Sequence, residues 1–407
     1  MPLGWSREAV AKPFRDGTHR AVSPESTLAR AAPAAAAAGI TRVGMATGLD
    51  VLGIPVAAAY RPNSRTVAVH QSKGVSVAAA KASAVMEAIE TFHAETADLP
   101  VRLSSFAQLR REVRALDPAT LPRTGADSID DARLLWTPGV RLADGAAVWV
   151  PHELVGIDLA PDSRWPGAGL FQATTNGLAS GNHRLEAATH ALCEVVERDA
   201  VALWQAMPLA AQDARALDLA TVDDPTARAW QARIAAAGQA LQVWDATSDL
   251  GLPVFICLLA GDDDVQPELG FGCHVDRTVA LLRAIGEAAQ ARLTVISGAR
   301  DDLTPAGYGE AAVRRRQDAA GAWLARRGTR DYHAAPTVAC GDLASDLRAV
   351  LDRLDAAGYG DAALVDLTRP ELGIPVVRVV VPGLEGPWAP AGNEYRPGLR
   401  ARRMAMQ

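Results

Sequence analysis

Apolar positions along the chain recur with two periods, and the period predicts the element. Three long stretches carry a helical repeat: Val77 to Ala97, Arg184 to about Ala206, and Arg277 to Ser297. In the first, Val85, Ile89 and Phe92 share one side, as do Leu192 and Val196 in the second. Weaker helical patterns cover Ser105 to Ala115, Thr226 to Ala237, Gly309 to Arg327 and Ala344 to Ala357, and the run Ala31 to Ala38 reads as a helix end. Short strands are predicted at 51–60 and 67–71 around a turn at Arg61-Pro62-Asn63-Ser64. Further strands are predicted near Ala147 to Val150, Gln242 to Trp244, Pro253 to Leu259, Ala362 to Asp366 and Pro375 to Val381, with a glycine-rich loop around Trp165 to Gly181. Helices and strands mix without regular alternation, so the expected class is α+β rather than a doubly wound sheet. The stretch 101–145, richer in Pro, Asp and Arg, is expected to connect an N-terminal lobe at 1–100 with the remainder at 146–407.

Composition narrows the class of protein. The 407 residues carry 41 Lys and Arg against 47 Asp and Glu, a net charge of −6, which argues against nucleic-acid binding through a global field. Almost all the cations are arginines; only Lys12, Lys73 and Lys81 are lysines. Cys193, Cys257, Cys273 and Cys340 lie far apart without a Cys-x-x-Cys pair, which argues against a disulfide scaffold or structural zinc and fits a reducing compartment. The start, Met1-Pro2-Leu3-Gly4-Trp5, lacks a basic segment followed by an apolar run, and no apolar stretch is long enough to span a bilayer. A cytoplasmic protein without a membrane partner is expected.

Candidate chemistry lies on the polar sides of the three long helices. Ser83, Glu87 and Glu90 sit at i, i+4 and i+7 in the first; Glu186, His190, Glu194 and Glu197 share a stripe in the second; Arg283, Glu287 and Gln290 repeat the spacing in the third. Each helix follows glycine: Ser72-Lys73-Gly74, then Asn176-Gly177 through Gly181-Asn182, then Gly270-Phe271-Gly272. Three loop-helix units with polar stripes suggest an internal duplication or a shared cleft. A glutamate stripe is ordinarily a solvated face, but such faces mix signs, because Glu–Lys pairs at i+4 add about 0.2–0.5 kcal/mol and like charges cost a similar amount. Glu87/Glu90 and Glu194/Glu197 are like-charged i, i+3 pairs, and Glu87, Glu90 and Glu197 have no Lys or Arg four residues later. Paired hard oxygen ligands are what magnesium uses, together with water and phosphates. The sequence holds no Gly-x-x-x-x-Gly-Lys-Ser/Thr loop, so ATP would have to be bound through glutamate-held magnesium and Arg or Lys contacts.

Beyond the stripes, Ser83-x-x-x-Glu87-x-x-Glu90, the run Ala191-Leu192-Cys193-Glu194-Val195-Val196-Glu197-Arg198-Asp199-Ala200 with Glu186 upstream, and Arg283-Ala284-Ile285-Gly286-Glu287-Ala288-Ala289-Gln290-Ala291-Arg292 resemble the three signature blocks of the YcaO family. Upstream, Gly17-Thr18-His19-Arg20 with Pro24-Glu25-Ser26-Thr27, and Thr47-Gly48-Leu49-Asp50 with Gly53-Ile54-Pro55-Val56, extend the resemblance, as does Val379-Val380-Val381-Pro382-Gly383-Leu384-Glu385 downstream. It implies a YcaO-type ATP-binding α+β fold with mixed sheets packed against helices and a cleft between sub-lobes. ATP and Mg2+ are the implied cofactors, a peptide or protein the substrate, and a homodimer the expected assembly. By the same resemblance Glu87, Glu90, Glu194 and Glu197 are the metal ligands. Arg20, Thr27, Lys73, Ser83, Glu186, Arg198 and Arg292 fall at nucleotide-site positions, and Arg198, Arg283 and Glu287 at catalytic ones. Arg292 lies off the Arg283 stripe and is equally readable as an ion-pair partner; His190 and Cys193 read as helix packing; Ser72 departs from the family's Gly-Lys-Gly loop.

The resemblance implies activation of a peptide backbone amide by phosphorylation of its oxygen, with the nucleophile selecting the product: azoline, thioamide or amidine. Azoline-forming members end in Pro-x-Pro-x-Pro, whereas this chain ends in Arg400-Ala401-Arg402-Arg403-Met404-Ala405-Met406-Gln407, and Pro387 with Pro390 makes only Pro-x-x-Pro. Gly-Thr-His-Arg and Pro-Gly-Leu-Glu resemble members that accompany a TfuA-type or other sulfur-delivering partner, so a thioamide is expected. The alternatives are azoline or amidine formation and a nucleotide-binding accessory without peptide chemistry. Arg400, Arg402 and Arg403 are expected as a solvated basic tail.

Overall fold

A computed structural model describes residues 9–124, 129, 131–158, 169–171, 174–261, 263, 265–300, 309–386 and 396–406. Met1 to Trp5, Pro387, Pro390 and part of the loop from Trp165 lie outside the described residues. In chain order the elements are α1 (Pro24–Ala37), β1 (Arg42–Met45), β2 (Val56–Tyr60), β3 (Val69–Lys73), α2 (Val77–Glu95), β4 (Arg102–Ser105), α3 (Phe106–Leu109), β5 (Arg133–Arg141), β6 (Ala147–Pro151) and β7 (Leu178–Ser180). They continue as α4 (Arg184–Ala206), α5 (Leu209–Asp213), α6 (Pro225–Ala236), β8 (Gln239–Asp245), β9 (Val254–Gly261), β10 (Glu268–Cys273), α7 (Arg277–Ser297), α8 (Glu310–Leu324), α9 (Leu343–Ala356), β11 (Ala363–Asp366), β12 (Val376–Val380) and α10 (Leu399–Met404). The class is α+β, as expected, and the three long helices fall where the apolar period placed them.

The described residues form two compact units, each drawn from separate stretches of chain: 1–12, 89–207 and 339–407 in one, 13–88 and 208–338 in the other. The first unit is built on a six-stranded antiparallel sheet ordered β4-β5-β11-β12-β7, with β6 also paired to β5. Helix α4 packs against β12, β7, α9 and α10. It is buried nearly all round, Glu186 and Glu197 included, so it is a core helix rather than a solvated amphipathic one. Segment 101–145 supplies β4 and β5 of this sheet; its Pro and charged residues mark turns and exposed strand positions rather than a linker.

The second unit has two three-stranded antiparallel sheets, β1-β2-β3 and β10-β9-β8, with α7 packed on β10, β9 and β3. Its core runs from Trp230 and Ile234 on α6 through Phe255 and Cys257 on β9 to Leu281, Ile285 and Ala288 on α7. Gly270-Phe271-Gly272 is not a loop: it lies in β10, with Gly270 opposite Cys257 and Gly272 opposite Phe255. A Cβ at Gly270 would come within 2.2 Å of the Ala284 oxygen and the Ala288 nitrogen, and one at Gly272 within 2.1 Å of the Ala280 oxygen. Both glycines let α7 lie directly on the strand, and a glycine-poor strand template misses such a segment.

Candidate active site

A common register governs the three strand-to-helix connections. The strands end at Lys73, Ser180 and Cys273, and the helices begin four residues later at Val77, Arg184 and Arg277. Counted fourteen residues from each strand end, the positions are Glu87, Glu194 and Glu287; three further on they are Glu90, Glu197 and Gln290. Gly74 and Gly181 serve the same local purpose, since a Cβ would meet the Ala80 nitrogen at 2.4 Å in one and the Ala187 nitrogen at 2.8 Å in the other. The turn therefore closes tightly onto the first helical turn in both, and the carboxylates project from matching helical positions.

In the first unit, the Ser180 backbone N–H donates to Glu90 Oε2 at 2.6 Å, fixing that carboxylate at the end of β7. Glu194 and Arg198 are half-buried on α4 one turn apart, so this glutamate does have a cation four residues along. Glu186, 3% exposed, accepts from the Asn182 backbone N–H at 3.2 Å, a contact that ties the helix to its entry turn. Glu197 is buried beside them, and Cys193 is packed in the core. Sequence reasoning missed Arg378, the lone charge within the buried strand Val376–Val380. Burial pulls its guanidinium down to about 10, opposed by the charges of Glu194 and Glu90. An arginine inside an otherwise apolar strand was the available signal.

In the second unit, Ser72 Oγ donates to Glu87 Oε2 at 2.6 Å, and His70 Nδ1 lies 3.9 Å from Oε1. Burial pushes the Glu87 carboxyl up, but His70, Ser72 and Lys73 together hold it below the ordinary carboxylate range. Ser72 and Lys73 are strand residues opposite Ala57 and Val56, so a serine in place of glycine here needs no left-handed backbone. Lys73 Nζ donates to Glu287 Oε2 at 2.9 Å, and its stem lies against Gly286, where a Cβ would be 2.8 Å from Lys73 Cγ. Arg283 donates to the Cys273 carbonyl at 3.1 Å, half-buried one turn before Glu287. Ser83 is exposed on α2. Arg20 pairs with Phe14 in an isolated antiparallel bridge, and Thr27 Oγ1 donates to the Ser23 carbonyl within α1 at 3.0 Å.

Arg292 is placed differently. It is 3% exposed, with Nε on Asp50 at 3.0 Å and Nη1 and Nη2 on Asp263 at 3.2 and 2.5 Å. A guanidinium so engaged is an anchor between α7 and two loops, not a group poised for phosphate. Arg400 also departs from expectation. It forms a bidentate pair with Asp199, which is fully buried one residue after Arg198, and it donates to Tyr359 Oη at 2.7 Å. Glu385 accepts from the Gly398 and Ala401 backbone N–H groups at 2.7 and 2.9 Å, so α10 is docked on α4 rather than solvated.

The donor chemistry suits magnesium: the stripes offer carboxylate oxygens, with no cysteine or cluster of histidines among them. No three His, Cys, Asp or Glu side chains among the described residues converge closely enough to hold a metal alone. Magnesium accepts that, because one or two carboxylates, water and substrate phosphates complete its octahedron.

Comparisons with known proteins agree with this class. The model of the YcaO family, described as an ATP- and Mg2+-binding cyclodehydratase, matches residues 71–385. A protein from the tfuA 3' region of Rhizobium leguminosarum bv. trifolii is 39% identical over 381 residues, covering 90% of this chain and 88% of the relative. An uncharacterized protein of Methanothermobacter thermautotrophicus is 33% identical over 90% of this chain and 95% of its own. Among solved structures, YcaO from Methanopyrus kandleri bound with AMPPCP and Mg2+ superposes with a TM-score of 0.75 at 24% identity, covering 96% of this chain and 100% of that one. A heterocyclase in complex with substrate and cofactor superposes with a TM-score of 0.76 at 23% identity, and this chain spans 55% of its length. The fold and the matched blocks define an ATP- and magnesium-binding α+β protein. The chain belongs to the YcaO family, and ATP and Mg2+ are its cofactors. Among the described residues no helix is long and apolar enough to cross a membrane.

Proposed function

We propose that the protein activates a backbone amide of a peptide or protein by phosphorylating its oxygen, and that it installs a thioamide with a TfuA-type or other sulfur-delivering partner. The observation that carries the amide-activating part is the repeated register, which presents Glu87, Glu194 and Glu287 from matching positions of three strand-to-helix units in a chain of this family. The thioamide part is supported by the 39% identity to the tfuA-region protein. Similarity to the heterocyclase, at 23% identity, concerns the fold and does not favour an azoline. The working form is read as a cytoplasmic homodimer, on the family resemblance.

Glu87, Glu90, Glu194 and Glu197 are read as the magnesium ligands. When bound, Mg2+ neutralises phosphate charge while ATP supplies the phosphoryl group that makes the amide oxygen a leaving group. The chain's residues orient and balance charge around that transfer. Ser72 fixes one oxygen of Glu87, with His70 3.9 Å from the other, and the Ser180 N–H fixes Glu90, so the carboxylates present defined lone pairs. Lys73, held by Glu287, and Arg198 and Arg283 are the cations read as facing phosphate or the oxyanion. Glu287 is then a positioning residue for Lys73, while Arg20, Thr27, Ser83 and Glu186 shape the nucleotide site.

A reconstituted reaction with peptide, ATP, Mg2+ and sulfide, followed by mass spectrometry, tests this reading. The expected product gains the mass of an oxygen-to-sulfur exchange, and oxygen-18 in the target amide appears in released phosphate. Loss of water without added sulfur would establish an azoline instead, and unlabelled phosphate would overturn amide-oxygen activation.

A further inference from the structure

Arg378 is 2% exposed, and its Nη2 donates to the Thr174 carbonyl at 2.6 Å, yet Nε and Nη1 are buried without an acceptor. The Asn176 side-chain oxygen is also buried without a partner. Both residues line a cavity of about 30 Å3 whose other walls include Leu154, Thr174, Val195, Leu384 and Glu385, the last with its carboxylate held by the Gly398 and Ala401 N–H groups. That volume holds one or two groups the size of water, since about 10–15 Å3 suffices for one. Buried guanidinium donors are rarely left unmade, so the pair calls for a small acceptor. A buried guanidinium with two unused N–H donors favours an anion over a neutral acceptor. The mostly apolar walls disfavour a strongly hydrated dianion and suit a weakly hydrated ion near chloride in size.

We propose that this cavity is a subsite for a small monovalent anion, and that the anion used is hydrosulfide. The assignment of hydrosulfide rests on the thioamide reading above. Arg378 holds the sulfur by Nε–H and Nη1–H, and Asn176 is placed to orient it through its amide, whose oxygen and nitrogen ends are interchangeable by rotation. The sulfur lone pair forms the C–S bond, the carbonyl π pair moves onto oxygen, and that oxygen takes the γ-phosphoryl as the bond to ADP breaks. The C–O bond then breaks, and the proton of hydrosulfide leaves with phosphate, giving thioamide, ADP and hydrogen phosphate.

Two measurements on the full chain test the subsite. Crystals grown with Mg2+ and a non-hydrolysable ATP analogue are soaked in bromide, and anomalous scattering locates the ion; it is expected beside Arg378 in the wild type and absent in Asn176→Asp, whose carboxylate repels it. In the peptide reaction, Asn176→Asp and Arg378→Lys are expected to raise the KM for sulfide at least about tenfold, the loss of a charge-assisted hydrogen bond, with a smaller change in kcat. Asn176 is half-buried, so its variant keeps the test alive if Arg378→Lys does not fold. No bromide at Arg378 overturns the subsite. Bromide there with an unchanged KM for sulfide means an adventitious ion only and overturns it equally. Bromide bound, and displaced by hydrosulfide, in a protein that makes no thioamide would sustain the anion site while refuting the thioamide reading.

Discussion

Replacing Arg400 by methionine removes the partner of a fully buried carboxylate. Asp199 accepts two bonds from Arg400, at 2.9 and 3.0 Å, and a third from the Glu385 backbone N–H at 2.9 Å. Even so paired, burial pushes its carboxyl up to about 6, against the pull of Arg400. Relative to about 3.9 in an unfolded chain, that is roughly 2 units, or about 3 kcal/mol. The folded acid holds its proton more tightly than the unfolded one, so the native state binds more protons between about pH 4 and 6. Stability from this group is therefore greatest below that window and declines as pH rises through it. Without Arg400 the carboxyl climbs further, and ionising it costs about 3–5 kcal/mol at neutral pH. At pH 5 it stays protonated, and the loss shrinks to hydrogen bonds and the contact with the Tyr359 ring, about 1–2 kcal/mol. Hydrogen exchange of 396–406, read at pH 5 and pH 7.5, should show α10 released far more at the higher pH in Arg400→Met after correction for intrinsic rates. Equal release at both would refute the argument that Asp199 is a buried charge held by this one cation.

Glu87→Gln and Glu194→Gln keep side-chain shape and should leave thermal unfolding nearly unchanged while abolishing magnesium-dependent ATP binding by calorimetry; unchanged affinity in both would refute a metal role for these stripes. Gly270→Ala places a methyl within 2.2 Å of α7 backbone and should destabilise by several kcal/mol, as overpacking against rigid backbone costs at least about 1–3; a melting temperature within a degree of wild type would contradict the close packing. Arg292→Met should lower stability by about 3–5 kcal/mol by stranding Asp50, with ATP affinity of the folded protein retained; the opposite pattern would make Arg292 a nucleotide contact.

How far the sequence could be read depended on what each signal encodes. Helical period is local, so α4 and α7 were legible to the residue, Arg184 to Ala206 and Arg277 to Ser297. Strand β10 was not, because its glycines answer to α7 lying across it, a tertiary fact with no local period. Sequence likewise offered the glutamates but not their partners. Ser72 and His70 meet Glu87 across a strand-to-helix turn, and the Ser180 N–H meets Glu90 across ninety residues of chain. Arg400 read as a solvated tail because its partner, Asp199, sits on the far side of a helix that looked amphipathic but is buried nearly all round.

The register of the three units adds a constraint that composition could not. Two of them keep both acids, Glu87 with Glu90 and Glu194 with Glu197, whereas the third has Glu287 followed by Gln290. In that third unit the remaining glutamate is spent on Lys73, whose stem needs the missing side chain of Gly286 to lie against α7. One acid engaged by an ammonium and the other neutral leaves no pair of free carboxylates for a divalent ion. The same helical position thus serves two ends. Where both acids are present we propose that it offers ligands to a metal, and where one is replaced by an amide it holds a cation in place.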